Sequence, residues 1–161
     1  MGFNFSGIAI NKNFQDNFEE LQAELGWTLE KTEEIDFVTA SANWKEEGIC
    51  DVSFCENGTI LFVNMDLCTR PYGIENANTF TFALSETSMV FYLGYCENGE
   101  EKRVIMEFED DRMTDEGEKL DVEDDAGDTS DVIWKQLGVV LGEKFWKLAH
   151  DEKAYRYVFA K

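Results

Sequence analysis

Residues 49–63, ICDVSFCENGTILFV, contain the pattern that decides the fold of this chain. Polar and apolar residues alternate over 50–54, Asn57-Gly58 follows, and residues 60–63 are continuously apolar. Alternation predicts a strand with one solvated face, Asn-Gly favours a type I′ turn, and a short apolar run indicates a strand covered on both faces. The stretch therefore predicts an antiparallel hairpin whose second strand lies inside a sheet.

The tetrapeptide Cys-Glu-Asn-Gly occurs again at residues 96–99, inside a second hairpin-like stretch. There the predicted strands are 89–95 and 101–109. Further strands are predicted by alternation at 3–10, 79–84 and 155–159, and with less support at 35–40; Asp115-Glu116-Gly117 is predicted to turn a short additional hairpin, with Leu120 and Val122 on the returning strand.

Two helices flank these strands in the sequence. Asn13 is a suitable cap for an N-terminal helix, which Gly26 should end. Thr129 or Ser130 can cap a C-terminal helix whose apolar stripe continues to Leu148. In an alternative interpretation, this helix breaks near Gly138 or Gly142 and residues 144–148 form a strand.

The expected fold is therefore α+β, with a single antiparallel, meander-like sheet of about six or seven strands and the N-terminal and C-terminal helices packed on it. A length of 161 residues, 43% of them hydrophobic, is enough for one domain spanning residues 1–161.

The formal net charge of −20 excludes some classes of partner. A strongly negative surface repels phosphate backbones and anionic lipid headgroups, so we expect neither nucleic-acid nor membrane binding. The charge is unevenly distributed, because residues 107–131 contain 13 acidic and 2 basic side chains whereas residues 132–161 carry a net charge of +3. A basic C-terminal helix that neutralises the acidic segment is therefore one explanation of the pattern.

The cysteines and the single histidine give no sign of a metal or catalytic centre. Cys50, Cys55, Cys68 and Cys96 contain no Cys-x-x-Cys pair, and three of them lie in apolar alternating runs, which is typical of core residues. His150, beside Asp151, is interpreted as a helix-terminus residue. No cofactor is expected, and a non-enzymatic cytoplasmic protein is favoured over an enzyme.

The acidic segment suggests a calcium site, since Asp121, Glu123 and Asp125 have the spacing of an EF-hand loop. The register fails, because Ala126 and Val132 stand where the loop requires Gly and Glu. A weaker cation site remains as a hypothesis; its candidate ligands are Asp124, Asp125, Asp128 and Asp131. The favoured alternative is a solvated loop in which Asp128 and Asp131 stabilise the N-terminus of the following helix.

The preferred functional hypothesis is an interaction module that binds a basic protein through this acidic surface, as immunity proteins and nuclease inhibitors do. The candidate contact residues are Asp110, Asp111, Asp121, Glu123, Asp124, Asp125 and Trp146. The alternative is a small-molecule or cation-binding domain, including a carboxylate-dependent hydrolase. Because the segment looks solvated, neutralising Asp121, Glu123, Asp124 and Asp125 is expected to leave the fold intact; the sequence predicts no oligomeric state.

Overall fold

The computed structural model describes residues 4–41, 45–109, 111–142 and 153–160. Within these ranges the chain forms one nine-stranded antiparallel sheet with helices on both faces. The strands are β1 Asn4–Ile10, β2 Leu29–Asp36, β3 Ile49–Cys55, β4 Gly58–Val63, β5 Asn78–Ser85, β6 Val90–Glu97, β7 Glu100–Phe108, β8 Asp111–Gly117 and β9 Lys153–Phe159. The helices are α1 Phe18–Leu25, α2 Phe37–Ser41 and α3 Thr129–Leu141.

The α+β class and the single antiparallel sheet are confirmed, but the expected number of strands was too small. The strand order is β2-β9-β3-β4-β1-β5-β6-β7-β8. Only β5 to β8 form a plain meander; β1 is inserted between β4 and β5, and the C-terminal β9 is inserted between β2 and β3. Both insertions pair strands that are distant in sequence, so no local turn motif predicts them.

Each face of the sheet carries its own apolar cluster. On one face, α3 covers β1, β4 and β5, with Ile133 and Leu137 packed on Phe residues of the strands, and α2 contributes Phe37. On the other face, α1 contributes Phe18 and Leu21. The residues that cover the rest of this second face belong to the connection between β4 and β5, and they are Cys68, Tyr72, Ile74 and Ala77.

The two Cys-Glu-Asn-Gly segments form hairpins as predicted, but their glycines serve different purposes. At the β6–β7 turn, Asn98 and Gly99 have φ values of 52° and 84°, as a type I′ turn requires. At the β3–β4 turn the predicted type I′ turn is wrong, because Cys55 pairs with Gly58 and neither Asn57 nor Gly58 adopts positive φ. A Cβ on Gly58 would lie 2.9 Å from both the Ile10 carbonyl oxygen and Leu141 Cδ2, so glycine is needed there for close packing.

Both predicted helices are present at the expected positions, but their first or last residues differ from the prediction. The segment from Asn13 to Asn17 is a turn, in which Asn13 Oδ1 accepts a hydrogen bond from the Gln15 amide, so α1 starts later than expected. Gly26 ends α1 with φ 75° as predicted. Helix α3 ends at Leu141, where Gly142 adopts φ 75°, so it does not run unbroken to Leu148 as expected. Residues 144–148, for which the sequence allows either helix or strand, lie outside the described residues.

Three local predictions were wrong. Residues 35–40 divide between the end of β2 and the short helix α2. Residues 115–117 do not turn a hairpin but end β8. Leu120 precedes a 3₁₀ turn, Asp121–Asp124, and Val122 lies within it. The alternation of β3 does not mark a solvated face either, because α2 and β9 flank this strand and leave Asp51 and Ser53 fully buried.

Candidate partner-binding surface

The acidic segment is attached to the sheet through a buried arginine, Arg103 of β7. Its side chain is 2% exposed and contacts two carboxylates of the segment. Nε and Nη2 donate to the two carboxylate oxygens of Glu123 at 2.9 and 2.8 Å, and Nη1 donates to Asp115 and to the Glu116 carbonyl. A bidentate pair of this kind fixes the position of the carboxylate as well as its charge. Arg103 therefore orders the segment against β7.

Glu123 is a structural residue rather than a solvated one. Its side chain is 8% exposed, and Oε2 also accepts a hydrogen bond from the Leu120 amide at 2.6 Å. Burial alone would raise its pKa, but the hydrogen bonds from Arg103 and Leu120 outweigh burial and lower the pKa of Glu123. The expectation that all four neutralised acids are dispensable for the fold is therefore corrected: Glu123 has a buried charged partner.

A second arginine, Arg112 of β8, extends these contacts to the start of α3. Arg112 pairs with Asp115 at 3.1 Å and with Glu107 at 3.5 Å, and it donates to Thr129 Oγ1 at 3.1 Å. Thr129 Oγ1 in turn donates to Glu107. Hydrogen bonds from Arg103 and Arg112 lower the pKa of Asp115. The bases that meet the acidic segment thus come from β7 and β8.

The expected neutralisation of the acidic segment by a basic C-terminal helix is not seen at Lys135 of α3, which is exposed and forms no ion pair with another described residue; Lys144 and Lys147 lie outside the described residues. Lys153 and Arg156 of β9 pair with Glu34 and Glu33 of β2, at 3.4 and 3.8 Å. These contacts lie at the opposite end of the strand order from β8. The acidic segment is therefore not paired with the described part of the C-terminal region.

The remaining predicted contact residues divide into two groups. Asp111 on β8, and Asp121, Asp124 and Asp125 in and after the 3₁₀ turn, are exposed. None of these four side chains forms an ion pair with another described residue. Asp110 and Trp146 lie outside the described residues. The exposed group, together with Glu116 and Glu118, is called the acidic surface below.

The four candidate cation ligands do not form a common metal site within the described residues. Asp128 Oδ1 accepts a hydrogen bond from the Asp131 amide at 2.8 Å and so caps α3. Asp131 Oδ2 accepts from the Gly127 amide at 3.1 Å. Both carboxylates also lie near the positive end of the helix dipole, where they stabilise the helix. Asp124 and Asp125 are exposed beside the 3₁₀ turn.

A second buried ion cluster, which the sequence analysis missed, lies around Asp51 of β3. Arg156 donates to both Asp51 oxygens at 2.9 and 3.0 Å, and Lys45 Nζ lies 2.8 Å from Oδ2. Lys45 also donates to the Thr39 carbonyl, and its side chain is 7% exposed. The sequence feature that could have indicated this cluster is an aspartate between apolar residues. The alternating pattern instead led to the prediction that Asp51 faces solvent.

The cysteines occupy core positions. All four are buried. Burial raises the pKa of Cys68 to about 12 and raises that of Cys50 well above its ordinary value. Thiols of this kind are protonated at neutral pH and are poor nucleophiles.

Metal, membrane and family relationships give no further assignment. In the part of the chain that the structure describes, no three His, Cys, Asp or Glu side chains are placed to hold a metal ion. Of the described helices, none has the length and apolar character needed to cross a membrane. No protein-family model, no curated protein and no solved structure matches this chain.

Proposed function

We propose that this protein is a non-enzymatic interaction module that binds a basic protein partner through its acidic surface. The observation that supports the proposal is the separation of its carboxylates into two kinds. Glu107, Asp115 and Glu123 pair with arginines and hold the segment in place. Asp111, Asp121, Asp124 and Asp125 are exposed, so their charge is directed at solvent.

Two physical effects favour a basic partner for such a surface. Complementary potentials accelerate the encounter between oppositely charged proteins and disfavour wrong partners. The attachment of the segment to Arg103 also means that less conformational entropy is lost on binding than for a free acidic loop. A surface that combines these properties suits an inhibitor of a basic enzyme, which is the role of an immunity protein.

The experiment compares two variants with the same change in net charge. The surface variant carries Asp111→Asn, Asp121→Asn, Asp124→Asn and Asp125→Asn. The control carries Asp16→Asn, Glu19→Gln, Glu24→Gln and Glu30→Gln, all exposed residues in or near α1 and β2. The wild type and both variants are immobilised, and a basic protein that the wild type retains from the native lysate is purified. The affinity of this protein for the wild type and for each variant is then measured by calorimetry at two salt concentrations.

We expect the surface variant to bind the purified partner about tenfold to a hundredfold more weakly, and the control to stay within about threefold of the wild type. Affinity for the wild type should fall as salt rises. If both variants bind the partner equally weakly, the loss of affinity is explained by net charge alone, and this result would contradict the proposal. Saturable thermal stabilisation by calcium, with no basic protein bound, would contradict it in favour of a cation-binding domain.

A further inference from the structure

A groove of about 350 Å³ lies at the edge of the acidic surface, with which it shares Glu118 and Asp121, between α3 and the segment that follows β8. Its apolar walls are formed by Tyr95, Leu120, Val122 and Val139, and Gln136 of α3 also lines it. This set of residues is called the Gln136 groove below. Val139 is 59% exposed, which leaves an apolar contact available to a ligand.

Gln136 is the polar group that makes the groove unusual. The residue is 4% exposed, its side chain forms no hydrogen bond with another described residue, and its amide atoms are not among the buried atoms that lack a partner, so what remains of its exposure faces the groove that it lines. A primary amide offers two donors and one acceptor oxygen, and water that enters the groove can hydrate it. A ligand that displaces this water therefore has to pair with the amide as well as the water did.

The charges at the rim of the groove determine whether a cationic or an anionic ligand is favoured. Glu97, Glu118 and Asp121 line the groove. Of the two lysines that also line it, Lys102 is held by Glu100 at 3.1 Å, and Lys119 is exposed. The carboxylates therefore exceed the available positive charge, and the rim favours a cationic group.

We propose that the Gln136 groove receives an arginine side chain of the basic partner, an inference that rests on the proposed function. The guanidinium is planar and carries five donors, so it can donate to Gln136 Oε1 and to rim carboxylates at the same time. The methylene stem of the arginine packs on Val139 and Leu120. A lysine ammonium is a strongly hydrated point charge and lacks this geometry. Arginines in such partly enclosed positions are frequent hot spots of interfaces.

The first test uses N-acetyl-arginine amide as the probe in an NMR titration of the ¹⁵N-labelled protein. We expect the Gln136 side-chain amide signals and the backbone amides of Leu120 and Val139 to shift saturably, with a Kd of about 1 mM for a ligand of this size. The lysine and citrulline analogues should bind at least about tenfold more weakly, because the first lacks the planar donors and the second lacks the charge. Equal binding of the lysine analogue, or shifts spread evenly over the acidic surface, would overturn the assignment.

Two variants and a matched control complete the test. Gln136→Met should abolish the shifts at Leu120, whereas Gln15→Met, an exposed site on the other side of the sheet, should not. Val139→Ser changes an exposed residue and should weaken probe binding about threefold without unfolding the protein. Unchanged probe binding in both Gln136→Met and Val139→Ser would overturn the inference.

The purified partner then separates this inference from the proposed function. We expect Gln136→Met to weaken partner binding about tenfold or more, with Gln15→Met unchanged. If the partner binds Gln136→Met as tightly as the wild type while the acidic-surface variant loses it, the arginine site is refuted and the proposed function stands. If the acidic-surface variant keeps wild-type affinity, the proposed function itself fails.

Discussion

The two buried ion clusters of this protein have opposite arrangements. Around Asp51, one carboxylate in the interior of the sheet is surrounded by two bases, Lys45 and Arg156. Around Arg103, one guanidinium near the β8 edge is surrounded by two acids, Asp115 and Glu123. The first cluster joins β3, β9 and the segment before β3, whereas the second joins β7, β8 and the 3₁₀ turn.

The difference shows how a chain with a net charge of −20 divides its acids between structure and surface. The Asp51 cluster holds its carboxylate in the interior, since Asp51 is fully buried, although Arg156 is 27% exposed and also reaches Glu33 of β2. The Arg103 cluster keeps Glu123 at 8% exposure but leaves Asp115 at 48%. It therefore anchors one end of a segment whose other carboxylates remain exposed. A buried base near an edge strand can thus hold an acidic surface in a fixed place.

The largest effect is expected from Asp51→Asn. This change leaves Lys45 and Arg156 without their shared charge, and removing one partner of a buried ion cluster typically costs about 3–5 kcal/mol. We expect the free energy of unfolding, measured by urea denaturation, to fall by about 4 kcal/mol. The control Asp16→Asn, at an exposed site, should change it by less than about 0.5 kcal/mol. A loss below about 1 kcal/mol for Asp51→Asn would show that the Asp51 cluster does not support the fold.

A smaller loss is expected from Glu123→Gln. Arg103 keeps Asp115 and the Glu116 carbonyl in this variant, so the loss of the charged bidentate partner should cost about 2 kcal/mol. Asp124→Asn, a neighbour in the same 3₁₀ turn, is the matched control and should be neutral within about 0.5 kcal/mol. Equal small effects in both variants would mean that Glu123 is solvated after all and that the two clusters do not differ as described.

The smallest expected effect is a dependence on pH. The pKa of Glu123 is lower in the folded protein than its ordinary value of 4.5, so its stabilisation is present above that pH and is lost as the pH falls through the folded pKa. The gap in unfolding free energy between the wild type and Glu123→Gln should therefore close below about pH 4.5. The gap for Asp124→Asn should stay near zero throughout. A Glu123→Gln gap that is constant from pH 7 to pH 3 would contradict the ion-pair explanation.

The elements that the sequence predicted correctly are those specified by neighbouring residues. The hairpin at Asn98-Gly99, the apolar strand of residues 60–63 and the helix end at Gly26 all follow from local conformational preferences or local periodicity. Gly58 marks the limit of this reasoning, because the same tetrapeptide contains a glycine whose role is contact with Ile10 and Leu141.

The candidate site was predicted in part, and the errors have a common cause. Asp121, Asp124 and Asp125 are exposed as expected, since a charged run without apolar periodicity is usually solvated. Glu123 looks the same in sequence but its side chain is buried, because Arg103 of β7, twenty residues earlier, donates to both of its carboxylate oxygens. Gln136 also escaped notice, since its burial depends on Leu120 and Tyr95, which only the fold brings beside α3.

By itself, the sequence determined the class of the fold, most of the strands and the large excess of negative charge, because these depend on composition and on preferences within a few residues. The tertiary structure alone decided that β9 lies between β2 and β3, that Asp51 and Arg103 are buried, and which carboxylates remain exposed. The physical reason is that burial and pairing depend on contacts between distant segments. Whether a given aspartate or glutamate is structural or available to a partner is set by the base that the fold places beside it.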